Sequence, residues 1–250
     1  MKALLLKELR IQLLSVRFFS LLSAFSLVSA LSFFSLLNQF NPLVEQAAMV
    51  PNQSVSLNEL IIEPFWSAIR ALLLFLIPIL SMKSFASERE EKTFPLLLVA
   101  PISSFEIALA KLIPLILTAL VVVLVQFSFP LLLWCYLPVE LAPALMGGFG
   151  AILIGISYMA IGGVVSAFCK TQIIAGAVSF LLVFAFHSLE SFSGDFGGGF
   201  SELIQFVSPN RHLLDIEKGL IKSSDVSYFL SLIFISIVIA AERLELDRGA

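Results

Sequence analysis

The chain has 250 residues, of which 59% are hydrophobic and only 13% charged, with 24 Phe, a formal net charge of -3 and a mean hydropathy of +1.01. Water-soluble domains carry about 25% charged residues, so this composition excludes a water-soluble fold and asks for a lipid bilayer as solvent. The charge balance offers no basic face for nucleic acid, and no nucleic-acid partner is expected.

Backbone in hydrocarbon must satisfy its hydrogen bonds within its own segment, so spans are expected as helices of about 20 residues. Residues 1-17 come first. Leu6, Leu9, Leu13 and Val16 recur at helical spacing, with Lys7, Glu8, Gln12 and Ser15 on the opposite side. That pattern predicts an amphipathic helix lying on the membrane surface, its polar side turned to water, and not the short basic leader of a cleaved signal peptide. Six stretches poor in charge follow, predicting spans at about 18-37, 65-82, 112-134, 144-168, 172-189 and 226-241. The expected fold class is therefore all-α: a polytopic membrane protein with six transmembrane helices, an interfacial N-terminal helix and short coupling helices. Residues 1-250 form a single transmembrane domain, with a cytoplasmic loop at 83-111 and an outer segment at 190-225.

Orientation follows from Lys and Arg. With the N-terminus inside, the inner segments hold eleven of them and the outer segments only Arg211, Lys218 and Lys222. The positive-inside rule then places both termini in the cytoplasm.

Arg70 is the one charge within a span. It is expected to snorkel to the outer interface as an anchor paired with Glu63, or to contact substrate. Gly147, Ala151 and Gly155 repeat every fourth residue, which lets a second helix approach closely, within the subunit or across a dimer. Cys135 and Cys169 fall at opposite ends of their spans, too far apart for a disulfide.

Several kinds of chemistry lack their residues. No phosphate-binding Walker loop occurs, so this chain is expected to bind no cofactor, and any ATP is bound by another subunit. The two His, His187 and His212, stand alone in their segments, without the partners that a metal or nucleophile site needs. A secondary transporter would place several ionisable groups at mid-membrane depth. The glycine cluster Gly194 to Gly199 reads as a flexible turn.

The loop reads KSFASEREEKTFPLLLVAPISSFEIALAK over residues 83-111. A charge cluster, Glu88 to Lys92, precedes an apolar patch, Phe94 to Ala100. Ser103 followed by Glu106 fits a capping box, predicting a helix from Ser104 and a break around Pro101. A surface part charged and part apolar suits docking of a soluble partner, with Phe94 as its central aromatic anchor; a solvated loop with a patch resting on the membrane has the same composition.

This segment resembles the permease subunits of type-2 ATP-binding cassette (ABC) exporters, the ABC-2 family. The matching residues are Glu88, Arg89, Thr93, Leu97, Leu98, Pro101, Ile102, Ser103, Glu106 and Lys111, with Lys7-Glu8-Leu9 near the N-terminus. The chain departs from the family pattern at Lys92 and Ala110, where Gly is usual, and at Pro95, where Glu is usual. The tail resembles the gliding-motility-associated subgroup. The resemblance implies a plasma-membrane (inner-membrane) export permease that pairs with itself or with a second permease and is powered by a separate ATPase. It implies that Glu88, Arg89, Glu91, Thr93, Phe94, Leu97, Leu98, Pro101, Ser103 and Glu106, with Lys7 and Glu8, meet that ATPase. The alternative is a non-transporting membrane scaffold or assembly factor that docks another partner on the same loop.

Overall fold

A computed structural model describes residues 2–48, 57–137, 140–193, 204–217, 219–220 and 222–249. The glycine cluster, Lys218 and residues 49–56 lie outside the described residues.

Every regular element among the described residues is helical. Helix α1 (Lys2–Leu13) leads into α2 (Val16–Ala48), the first span. A π-helical turn at Asn58–Ile62 feeds α3 (Glu63–Ser81), and two short helices, α4 (Ala86–Glu90) and α5 (Phe94–Leu98), make up the loop. The remaining elements are α6 (Ser104–Gln126), α7 (Ser128–Tyr136), α8 (Leu141–Phe168), α9 (Gln172–Ser193), α10 (Pro209–Glu217) and α11 (Ser223–Gly249). Six helices are long and apolar enough to cross a membrane, which establishes an all-α polytopic fold.

Two spans differ in shape from the expectation. The third is broken at Phe127, whose N–H bonds the Leu124 carbonyl at 3.2 Å before α7 begins. Pro130 is the cause: its ring excludes the helical carbonyl four residues back. The helix that carries the sixth continues two further turns past residue 241 as a charged tail.

Helix α8 is the axis of the bundle and packs against α3, α6, α9, α10 and α11. Its glycines explain the closeness. A Cβ on Gly147 would sit 2.5 Å from Trp66 Cδ1, one on Gly148 2.0 Å from Phe127 Cζ, and one on Gly163 2.3 Å from Leu112 Cδ2. The four-residue stripe of Gly147, Ala151 and Gly155 thus serves contacts inside the subunit. Phe65, Trp66, Phe33, Phe127 and Phe129 form a chain of rings at centroid distances of 4.9 to 5.6 Å where α2, α3, α6 and α7 meet.

The two cysteines are unpaired, Cys135 exposed and Cys169 buried, as their positions require.

The glycine packing has a direct consequence. Gly147→Ala drives a methyl into a rigid, buried indole and is expected to lower stability by about 1 to 3 kcal/mol. Gly155 has no neighbour nearer than 3.6 Å, so Gly155→Ala is neutral or stabilising through helix propensity. Thermal unfolding of the two purified variants in one detergent checks the contrast.

Candidate functional site: a charged segment locked to the bundle

The 83–111 segment is built from short, individually specified pieces. Two backbone N–H groups, of Phe85 and Ala86, donate to Ser166 Oγ at 3.0 Å, and that hydroxyl donates to the Met82 carbonyl at 3.0 Å. One buried serine of α8 thereby satisfies the turn between α3 and α4 where helical bonds lapse.

Helix α4 ends in a Schellman motif. The Thr93 N–H reaches the Glu88 carbonyl at 2.9 Å and the Lys92 N–H reaches that of Arg89 at 3.2 Å, with Lys92 at a φ of 58°. This left-handed position is one that glycine occupies without strain, which gives a physical reason for glycine in the family pattern. The departure at Pro95 is also accommodated, because it falls in the first turn of α5, where no helical N–H is needed. Ala110 is fully buried.

Helix α6 starts as the spacing predicts. Ser103 Oγ accepts the Glu106 N–H at 3.2 Å and Glu106 Oε2 accepts the Ser103 N–H at 3.1 Å, a complete capping box.

One turn and a half further on lies Lys111, 1% exposed. Its ammonium contacts Glu88 Oε1 at 2.9 Å, Glu8 Oε1 at 3.3 Å and the Ser84 carbonyl at 2.8 Å. Three separate stretches of sequence, in α1, α4 and α6, therefore share one buried cation. The orientation of α1 expected from sequence is corrected here. Glu8 is 7% exposed and Gln12 lies 3.4 Å from Thr118 Oγ1 of α6, while Leu6 and Val16 are exposed at 64% and 86%. Burying Glu8 is favourable because Lys111 is already inside; of the apolar side, Leu6 and Val16 face outward while Leu9 and Leu13 stay half-buried, Leu13 against the core.

The charged tail of α11 holds the other flank. Arg89 pairs with Asp247, which also takes Arg243 at 2.8 Å, and Ser104 donates to Glu245. Arg248 Nη2 donates to the Ile102 carbonyl at 2.6 Å, just after Pro101. Glu90 Oε2 accepts the Gln172 N–H at 3.1 Å at the start of α9. Sequence reasoning missed this tail, since a span ending near 241 leaves its residues without a task; the Arg243 and Asp247 spacing of four was the available signal.

The anchor expectation changes accordingly. Phe94 is 7% exposed and lies under the Arg89 guanidinium, 4.1 Å from ring centroid to Cζ. Leu97 and Leu98 are half-buried against the core. The outward apolar tips are Leu96, 71% exposed, and Val99, 79% exposed. Glu91, Thr93, Pro101 and Ser103 are exposed, Glu106 is half-buried, and Lys7 is exposed on α1.

The far end of the bundle carries a second ionic cluster. Arg70 does not pair with Glu63 at the rim; it pairs with Glu217 at the end of α10, and both are largely buried. His212 Nδ1 lies 2.8 Å from Asp225 Oδ1, and the His212 ring stacks on Tyr228 at 4.1 Å. Asn210 donates to the His187 carbonyl at 2.8 Å, tying α10 to α9. No group of three metal-ligating side chains occurs among the described residues.

A family described as ABC-2 family transporter protein matches residues 3–240, nearly the whole chain. The chain belongs to the ABC-2 transporter family. No curated protein matches it. Members of this family are the membrane component of ABC transporters and associate with an ABC ATPase and the bilayer, so this chain is a permease subunit.

Substitutions at Lys111 and at Lys92 test the lock and the left-handed end of α4. Lys111→Met leaves two carboxylates without their buried cation and is expected to cost about 3 to 5 kcal/mol; the added change Glu8→Gln recovers part of that loss, since it removes one of the two charges. Lys92→Gly relieves the left-handed backbone and is expected to add about 1 kcal/mol. Thermal unfolding in detergent reads both, and a stabilising Lys111→Met would contradict the shared-cation geometry.

Proposed function

We propose that this permease subunit works in an exporter of the plasma membrane, with both termini cytoplasmic, and that a separate ATPase docks on the outer surface of α4 and α5. The observation that carries this reading is the lock on the coupling segment: Lys111, Arg89, Ser104 and the Ile102 carbonyl join it to α1, α6 and α11. A docking element must be stiff enough to pass force to spanning helices, and short helices alone are not. The charge asymmetry of eleven against three supports a cytoplasmic position for this end.

Within the segment the roles divide. Glu88, Arg89, Phe94, Leu97 and Leu98 hold its shape from inside. Glu91, Thr93, Pro101 and Ser103, with the tips Leu96 and Val99, face the partner, and Lys7 borders them. Glu106 caps α6 and Glu8 fixes α1. In an ABC transporter the permease supplies the path and the ATPase binds and hydrolyses ATP. A scaffold docking another partner on the same surface is the competing reading.

Leu96→Glu with Val99→Glu places two charges on the exposed tips without touching the lock. Loss of a buried hot spot costs about 2 kcal/mol or more, roughly thirtyfold in affinity. Capture of the ATPase by the tagged permease from detergent extract is expected to fall by that order, with membrane level unchanged. Undiminished capture would remove α5 as the docking element, and capture of no ATPase by the unaltered chain would favour the scaffold.

A further inference from the structure

A cavity of about 520 Å³ lies between α1, the start of α2, the inner turn of α3 and α6. Besides Lys111, three cations line it: Lys7, Arg17 and Lys83. None of them is paired with a carboxylate among the described residues. Arg17 Nη2 donates to the Ile79 carbonyl at 2.8 Å, a neutral acceptor, which leaves its charge uncompensated and most of its donor fork unused. The carboxylates deeper in the lining, Glu8 and Glu88, are both engaged by Lys111, and Glu91 is exposed at the rim. Four cations against three carboxylates leave the lining with an excess of one positive charge.

The other part of the wall is apolar, made by Ile11, Phe18, Leu80 and Leu115. Its depth is set by the spans. Helix α2 begins at Val16 and α3 ends at Ser81, so Arg17, Leu80 and Lys83 lie where hydrocarbon gives way to the headgroup layer. Unpaired cations beside an apolar wall at that depth complement an amphiphile with a phosphate head and an acyl tail. Guanidinium takes two phosphate oxygens in its planar fork and each ammonium adds a point charge.

We propose that this cavity binds one anionic phospholipid of the leaflet at the coupling end, its phosphate held by Arg17, Lys83 and Lys7 and its acyl chains leaving over Ile11 and Phe18. The bound lipid fills the gap between α1 and the bundle, next to the Lys111 lock. The site goes beyond the permease assignment and does not depend on which protein docks on α5.

The test uses the full chain in neutral detergent, with micelles doped with dioleoylphosphatidylglycerol or, at equal mole fraction, dioleoylphosphatidylcholine. The unfolding midpoint is expected to rise several degrees further with the anionic lipid, because a ligand that binds only the folded state stabilises it. Glycerol phosphate, which has the head and no tail, is expected to give no rise. Lys7→Gln with Lys83→Gln, both exposed and safe for folding, removes more than half of the increment; Arg17→Gln does likewise, and Arg17→Lys retains part of it. Lys2→Gln with Arg10→Gln, two exposed cations of α1 outside the cavity, keeps the increment. Equal midpoints in the two lipids would overturn the proposal, as would equal losses in the cavity and control pairs, which would mean diffuse attraction. A full shift from glycerol phosphate would assign the cations to a free phosphate and overturn the lipid. ATPase capture is not a readout here, so this result and the docking result fail separately.

Discussion

A buried cation shared by two carboxylates fixes the architecture of the coupling end. Lys111 is inaccessible to water, and an isolated ammonium there would cost several kcal/mol of lost hydration. Glu88 compensates it from α4 and Glu8 from α1. Because all three must meet, α4 cannot swing away from the bundle and α1 cannot roll freely against it. The Ser84 carbonyl, the third acceptor, pins the turn from α3. The local devices around it, the Ser166 hydroxyl, the Schellman end of α4 and the capping box of α6, bring these groups to the same point.

How much of this was legible in the sequence depends on whether the signal was local. The six spans were, since hydropathy over some 20 residues is a property of one stretch and the bilayer imposes the length. The capping box at Ser103 and Glu106 was too, three residues apart on one turn. Glu8 was not. Reading α1 by itself, a carboxylate belongs on the wet side, and only the presence of Lys111 a hundred residues away reverses that. Arg70 failed for the same reason: Glu63 was the nearest acid in sequence, but Glu217 arrives from α10 after three more spans. The position of Phe94 depended on Arg89 and on the α11 tail, neither of which a linear reading brings together.

The family pattern itself becomes physical at several positions. Lys7-Glu8-Leu9, Glu88 and Lys111 look unrelated along the chain, yet Glu8, Glu88 and Lys111 form one ionic knot. The glycine usual at position 92 fits a left-handed residue that the Schellman end of α4 requires, and this chain fills it with Lys at a φ of 58°. Pro95 is harmless because it falls where a helix has no N–H to satisfy. Such departures are tolerated at helix ends and would not be in the middle of α6.

The two ends of the bundle are joined by different physics. At the coupling end, separate short pieces are tied by ionic contacts to α1, α6 and α11. In the middle, α8 glycines let α3 and α6 approach so closely that rings and leucines interlock with no room for a methyl at Gly147, Gly148 or Gly163. Close-packed interiors transmit displacement and do not absorb it. A push on α4 therefore reaches α3 through one turn and α6 through Lys111, and passes into α8 along its length. At the far end the same displacement meets Arg70 and Glu217, where α3 holds the short α10. In the proposed permease, motion imposed at the coupling segment is thus carried by the bundle as a body, and the contact between α3 and α10 is where that body meets the element at the opposite side of the membrane.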